Sequence, residues 1–361
     1  MFGLGFFAFE WLWGLIADRI GYRIPLIVSP LLYSASILLL ARSESVPLIA
    51  VSYFLSSGAT VAAGPVGRSF VGTTLPPGLR ATGLALLAAG WVMAGAIGAG
   101  AGGVLIEHIP IRNVIYGAAI LPVISSLLVL LVFRGYAETH GRSTWTDEDM
   151  RVEEARTGPS LPRVLAVTAV IMVLVETGVG GEQALLPLLV TAHLNLSAAT
   201  AGAAMFAVGI AGGLLLVPGG MASDRWGRRQ TMVAGGVLMA AGYAVYAFAG
   251  TFWVVIIGVA LRALGGSLIW PAATAWISET SPRRRHALVL GIFGEFENIG
   301  VALGPLIGGI VWSVAGIQSA FLAYAVAALL SAVCALAVTN RTSTAKILTR
   351  EESHDRQPDR V

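Results

Sequence analysis

The chain has 361 residues, 56% hydrophobic and only 12% charged, with a mean hydropathy of +0.79 and a formal net charge of +3. A soluble domain carries about 25% charged residues; here the charges are sparse and clustered, leaving apolar stretches of about 20 residues, the length that crosses a bilayer as helix. The lone cysteine, Cys334, rules out an internal disulfide and a cysteine metal cluster.

Apolar segments run at about 1–16, 24–41, 47–68, 82–106 and 112–133, then at 164–190, 199–218, 230–249, 252–274, 287–311 and 317–338. They lack the alternation of ten-residue strands that a β-barrel needs, and 44 glycines suit helices that approach closely in lipid. The expected fold class is an all-α polytopic membrane protein with eleven crossings, the first unusually short. The stretch 134–163 is polar; Thr146 followed by Asp147, Glu148 and Asp149 has the form of an N-cap with an acidic first turn, which predicts a short surface helix. The chain thus divides into a first bundle at 1–133, this linker at 134–163, a second bundle at 164–338 and a tail at 339–361.

The two bundles are copies. GLIADRIGYR, Gly14 to Arg23, returns as GMASDRWGRR, Gly220 to Arg229, with Gly14/Gly220, Asp18/Asp224, Arg19/Arg225, Gly21/Gly227 and Arg23/Arg229 identical at a shift of 206. The same shift, without a gap, lays Pro65 on Pro271, Pro76 on Pro282, Gly98 on Gly304, Gly102 on Gly308 and Gly103 on Gly309. Internal repeats of this kind mark secondary transporters, whose substrate site lies between the halves near the bilayer midplane. In this register Met1 falls on Ala207, so the counterpart of 164–206 would precede Met1. No basic region or small-residue cleavage site follows Met1, so 1–16 does not read as a signal peptide. About 40 further residues are expected upstream from the repeat, the alternative being a genuine eleven-helix variant.

Charge placement sets the expected orientation. Of 23 basic residues all but Lys346 are arginine, and nineteen occupy one set of loops and tails against Arg42 and Arg112 on the other; Arg68 and Arg262 lie within apolar segments. By the positive-inside rule the larger set faces the cytoplasm. That puts both charged turns, the linker and the C-terminus inside, in a multi-pass protein of the cell membrane. It also accounts for a pI near 9.2 without a nucleic-acid partner.

With two such turns the chain resembles the major facilitator superfamily along essentially its whole length. The family's loop G-x-x-x-D-R-x-G-R-[RK], between the second and third helix of each half, is matched by Gly14, Asp18, Arg19, Gly21 and Arg23 and by Gly220, Asp224, Arg225, Gly227, Arg228 and Arg229; Tyr22 replaces a basic residue in the first copy. Glycine permits the tight reversal, and the aspartate can accept bonds from helix N-termini or arginines. The resemblance implies a cytoplasmic latch between the halves that holds the outward-facing state; the plainer reading is that the arginines only set topology. A second pattern, G-x8-G-x3-G-P-x2-G-G, is similar to the fifth helix of drug/proton antiporters and is met by Gly291, Gly300, Gly304, Pro305, Gly308 and Gly309. In the first bundle Ala85, Ala94 and Ala99 replace Gly, Gly and Pro, and close helix packing with a proline kink covers both copies. Arg262 and Gly266 match the fourth-helix pattern R-x-x-x-G that the family connects with proton coupling, but Ser56 stands at the matching place in the first bundle.

Ionisable groups within apolar segments are expensive and mark function by default; they are Glu10, Arg68, Glu176, Glu182, Arg262, Glu295 and Glu297. Glu295 and Asn298 share a helix face. Glu297 is turned about 200° from Glu295 and joins Gly300, Gly304 and Gly308, so one acid faces a cavity and the other packs against a neighbour. ETGVGGEQALLP, Glu176 to Pro187, predicts a bent or unwound helix that offers Glu176, Glu182 and Gln183 to a cavity, or lets Glu182 reach water at the membrane surface. Glu10 shares a face with Gly14 and Asp18 and would support the first turn, with Arg68 as a candidate partner.

Phosphate loops, His/Cys metal spacings and nucleophile elbows are missing, so no enzyme chemistry, cofactor or metal is expected. The resemblance implies an alternating-access secondary transporter, with protons and a small cationic or amphipathic molecule as partners, export as the direction and a monomer in the bilayer as the working unit. Two other readings stay open. One is a sugar or organic-anion symporter with Arg262 binding the anion; the other is a non-transporting sensor or partial-gene fragment.

Overall fold

The computed structural model describes residues 2–74, 77–133, 161–280 and 286–338, which fall in helices or in the turns that join them. The expected linker helix near Thr146 and the tail lie outside the described residues. The first bundle holds α1 (Phe2–Ile20), α2 (Arg23–Arg42), α3 (Val46–Thr60), α4 (Ala63–Thr74), α5 (Pro77–His108), α6 (Ile111–Ala118) and α7 (Ile120–Val132). The second holds α8 (Leu161–Leu188), a π turn (Leu189–His193), α9 (Ala198–Trp226), α10 (Arg228–Ala247), α11 (Phe252–Thr280) and α12 (His286–Ala335).

The expected segments reappear with local differences. The segment 47–68 lies in α3 and α4, broken at Val61 and Ala62, and 112–133 divides at Ala119. The last two segments run together as α12, interrupted at Gly316 with φ +83°. Fifty residues of helix would reach about 75 Å, against a hydrocarbon core of about 30 Å. The break at Gly316 is therefore where the chain turns back.

Eight runs among the described residues are long and apolar enough to cross a membrane, by length and composition, and α1 adds the shorter apolar run Ala8–Ala17. The segment 230–249, expected to cross, is not among the eight. Its helix α10 begins with Arg228, Arg229 and Gln230 and is rich in glycine. It packs in the core of the second bundle, with Met232, Met239, Tyr243 and Tyr246 buried against α11 and α12.

The repeat is written into the helix ends. Ile20 and Trp226 close α1 and α9, Val46 and Phe252 open α3 and α11, and Thr74 and Thr280 close α4 and α11, each pair 206 residues apart. Both charged turns reverse on a glycine with positive φ, +86° at Gly21 and +90° at Gly227. Side chains with a Cβ rarely take that conformation.

The unwinding considered between Glu176 and Pro187 does not occur. α8 stays helical to Leu188, and the irregular π turn follows Pro187. Its glycines serve contact instead: a Cβ at Gly180 would meet the Val301 backbone, and one at Gly178 would lie 2.7 Å from the Tyr243 ring. From the facing helix, Gly300 and Gly304 oppose the backbone of Val173, Thr177 and Gly181, while Gly308 lies against Tyr324. Helices without side chains at the contact can approach this closely. Gly291 and Gly309, grouped with them in the sequence pattern, face open space.

Two seams join the bundles. Along one, α5 runs antiparallel to α9: a Cβ at Gly103 would stand 2.8 Å from the Gly202 Cα, and one at Gly213 would stand 3.5 Å from Val92 Cγ1. At the end away from the charged turns, Glu107 Oε1 accepts a hydrogen bond from the Ala199 N–H at 2.8 Å. Along the other seam α1 meets α12. On its charged-turn side Gly14, Gly291 and Gly294 have no neighbouring atom among the described residues within 4 Å of a Cβ position.

Candidate functional site

Two polar clusters occupy the interior. In the second bundle α8 presents Glu182 with no exposed surface. Arg262 from α11 brings Nε to 2.6 Å from Glu182 Oε2, and Tyr246 from α10 donates its hydroxyl to Oε1 at 2.6 Å. Glu182 therefore does not reach water at the membrane surface. A buried charge persists when it is paired and hydrogen-bonded, and here two other helices supply the partners. Tyr243, three residues before Tyr246 on the same face, points a buried hydroxyl with no hydrogen-bond partner among the described residues. Its ring centroid lies 5.9 Å from that of Tyr324, whose hydroxyl donates to the Gly304 carbonyl at 2.8 Å.

Glu176 stands lower on α8, half-buried, with its stem against Gly300 of α12. The Arg262 charge acts on Glu176, Tyr243 and Tyr246 alike. Gln183, expected beside them, is exposed.

The second cluster lies on the seam between α1 and α12. Asn298 Nδ2 donates to Glu10 Oε2 at 2.7 Å. Glu295, one turn earlier on the same face, stands beside Asn298 and Glu10. Glu10, expected to brace the charged turn, also reaches the other bundle, because α1 and α12 meet at that level. One oxygen of Glu295, Oε2, is buried with no hydrogen-bond partner among the described residues. Glu297 faces elsewhere: Trp270 of α11 donates Nε1–H to its Oε1 at 2.6 Å. The two acids of GEFEN thus divide, Glu295 to the seam and Glu297 to a neighbour in its own bundle.

At the second charged turn, Arg228 Nη1 donates to Asp224 Oδ1 and to Ser223 Oγ, each at 2.7 Å. The Asp224 side chain is 69% exposed. This ion pair stays within its own turn; Arg19, Arg225 and Arg229 are exposed. The side chains of Asp18 and Arg68 lie outside the described residues.

Tyr246, Tyr243, Trp270 and Glu107 were not foreseen. Two tyrosines three apart on a helix facing a buried acid, and a tryptophan in mid-segment, were the available signals. Glu107 gave none, since its partner is a backbone N–H.

The chain matches the family model described as Major Facilitator Superfamily over residues 1–180 and 165–358. It is similar to a Na(+), Li(+), K(+)/H(+) antiporter of Planococcus maritimus, 30% identical over 122 residues, which are 30% of this chain and 29% of the relative. It is 25% identical over 312 residues to the class B tetracycline resistance protein of Escherichia coli, covering 84% of this chain and 75% of that one. The human organic anion transporter MFSD10 (TETRAN) shares the fold, with TM-score 0.63 and 18% identity over 92% of this chain and 82% of that one. The matches to the first three curated relatives each span less than a third of the relative's length.

Proposed function

The chain belongs to the major facilitator superfamily, a family of membrane transporters rather than enzymes, and from that premise we propose that it is a proton-driven exporter of cationic or amphipathic small molecules. The observation that carries the reading is the seam cluster. Carboxyl groups from both bundles converge on Asn298, and Glu295 keeps a buried oxygen without a partner. A positive cargo supplies the missing countercharge, and a proton supplies it in turn. Competition between the two for one carboxylate is what makes antiport.

The packing supports alternating access. The bundles touch through α5 and α9 up to Glu107, while the α1–α12 seam is open beside the charged turns. Asp224 is paired within its own turn, as an undone latch would be. With the positive-rich loops in the cytoplasm, this is a carrier open inward, its linker and tail also inside, and its halves at 1–133 and 164–338 rocking as single monomeric units. The relatives named for cation/proton exchange and tetracycline resistance agree with this direction. Organic-anion symport through Arg262 is less well supported, because Glu182 already balances that charge.

The test uses the purified protein in liposomes with the membrane potential clamped and an acidic lumen. One pH unit should drive about tenfold accumulation of tetraphenylphosphonium by one-for-one exchange, and Glu295→Gln should abolish it. Accumulation that ignores the pH gradient, or that survives Glu295→Gln, would overturn the reading.

A further inference from the structure

We propose that Glu107 is an outer clasp between the bundles: a carboxylate at the end of α5 that caps the N-terminus of α9 and holds the carrier shut on the side away from the charged turns. This rests on the rocking bundles and the orientation proposed above, but concerns neither the cargo nor the proton.

α9 begins without an acid of its own. Its first turn is Ala198, Ala199, Thr200 and Ala201, and the hydroxyl of its N-cap, Ser197, accepts the Thr200 N–H at 3.2 Å. The first amides of a helix have no partner within it, and they carry the positive end of its dipole. A carboxylate is favoured at such a place, and the other bundle supplies it: Glu107 Oε1 accepts the Ala199 N–H at 2.8 Å. The two residues stand 92 apart in the chain and meet only where the bundles meet.

Position gives this bond its leverage. Below it the seam is close-packed, since a Cβ at Gly202 would lie 2.7 Å from the Ala99 carbonyl oxygen and one at Gly209 would lie 2.5 Å from the Ala96 Cβ. From residue 92 to residue 107 the contact runs for about 22 Å of helix, and Glu107 with Ala199 closes its outer end. Any rotation that parts the seam from that end separates this pair first and farthest, and it leaves α9 without the cap. The bond therefore favours the inward-open carrier, which rests facing the compartment that holds its cargo. The second bundle has no acid at the matching place. Ser313, 206 residues after Glu107, turns its hydroxyl back on the Ile310 carbonyl of its own helix at 2.8 Å. Another ion pair at the outer end, Arg112 with Glu44 at 3.4 Å, joins parts of the first bundle and does not cross the seam.

The test uses the full chain in cells, with Cys334→Ser to remove the native thiol and Ala96→Cys to place one on the seam. Ala96 is buried there, so labelling by a membrane-impermeant maleimide added outside reports outward opening without any transport. Glu107→Ala should speed labelling by between about twofold and fivefold, the worth of a charge at an exposed helix N-terminus. Ala199→Pro removes the donor N–H at a place in the first turn where proline is tolerated. It should speed labelling equally, and the double variant no further. Glu44→Gln, which breaks the ion pair within the first bundle, should leave the rate unchanged. Where Ala96→Cys does not fold, Ala99→Cys, half-buried on the same stretch, takes its place. An unchanged rate in Glu107→Ala, effects that multiply in the double variant, or an equal rise in Glu44→Gln overturns the clasp. A wild type that moves no tetraphenylphosphonium refutes the exporter reading, and the labelling still judges Glu107.

Discussion

Replacing Glu182 by Gln tests the interior of the second bundle most sharply. The change is nearly isosteric, so packing is kept and only the charge is lost. Arg262 then becomes a largely buried cation without a countercharge, a situation that costs about 3–5 kcal/mol. The lower figure applies, because the Arg262 side chain keeps 11% of its surface exposed. The Tyr246 hydroxyl can still donate to the amide oxygen, so its bond weakens rather than vanishes. Arg262→Gln alone strands the carboxylate in the same way, for a further estimate of about 3 kcal/mol. With the pair at 2.6 Å, the double variant Glu182→Gln/Arg262→Gln should be no less stable than either single. That is a coupling of about 3 kcal/mol, at the upper end for neighbouring residues. Tyr246→Phe, which removes one bond to a charged acceptor, should cost about 1.5–3 kcal/mol by itself. A denaturation titration in mixed micelles, read by tryptophan fluorescence, measures all four. Additive losses in the double variant would refute the pair as a buried ionic contact.

Two further expectations come from the glycines. Gly304→Ala should cost about 1–3 kcal/mol, the usual range for overpacking, because its methyl group would run into the backbone of Thr177 and Gly181; Gly309→Ala, in open space, should be close to neutral by the same titration. The pair Val92→Cys/Gly213→Cys spans the α5–α9 seam, where a Cβ at Gly213 would lie 3.5 Å from Val92 Cγ1. It should form a disulfide under mild oxidation, seen as a mobility shift after cleavage of the linker, and arrest transport until reduced.

Much of the fold was legible because membrane helices announce themselves by length and apolarity, and because a repeat of 206 residues made each bundle a check on the other. Element ends were less so. The α3–α4 break and the merging of the last two segments depend on tertiary packing and on the single positive φ at Gly316. The glycines of α8 suggested unwinding since composition does not distinguish a helix that must unwind from one that must be approached closely; the facing glycines of α12 show the close approach. In the site, Glu182, Arg262, Glu295 and Asn298 stood out by their cost in lipid. Their partners did not, because Tyr246 and Trp270 are ordinary apolar-segment residues until another helix is placed against them. Glu10 was assigned by spacing along its own helix, and no spacing rule reaches 288 residues to Asn298.

The departure from symmetry is itself informative. The position matching Asn298 in the first bundle is Val92, and the position matching Glu10 in the second is Leu216. The same pseudo-symmetric crossing is thus built twice: once from Val92 against Gly213, apolar and close, and once from Asn298 against Glu10, polar and charged. Likewise Arg262 has Ser56 as its counterpart, whose hydroxyl is turned back on the Tyr53 carbonyl of its own helix at 2.9 Å. A carrier that rocks needs both seams to open and close, but only one has to sense what is bound. Apolar contact along α5 and α9 favours closure whatever the charge state. The α1–α12 seam changes its energy with every proton or cation that arrives, since a Glu10–Asn298–Glu295 cluster with a net negative charge repels itself when empty. Placing Glu295 and Asn298 opposite Glu10 puts the proton and the cargo on one helix contact and leaves the other as the fixed spring.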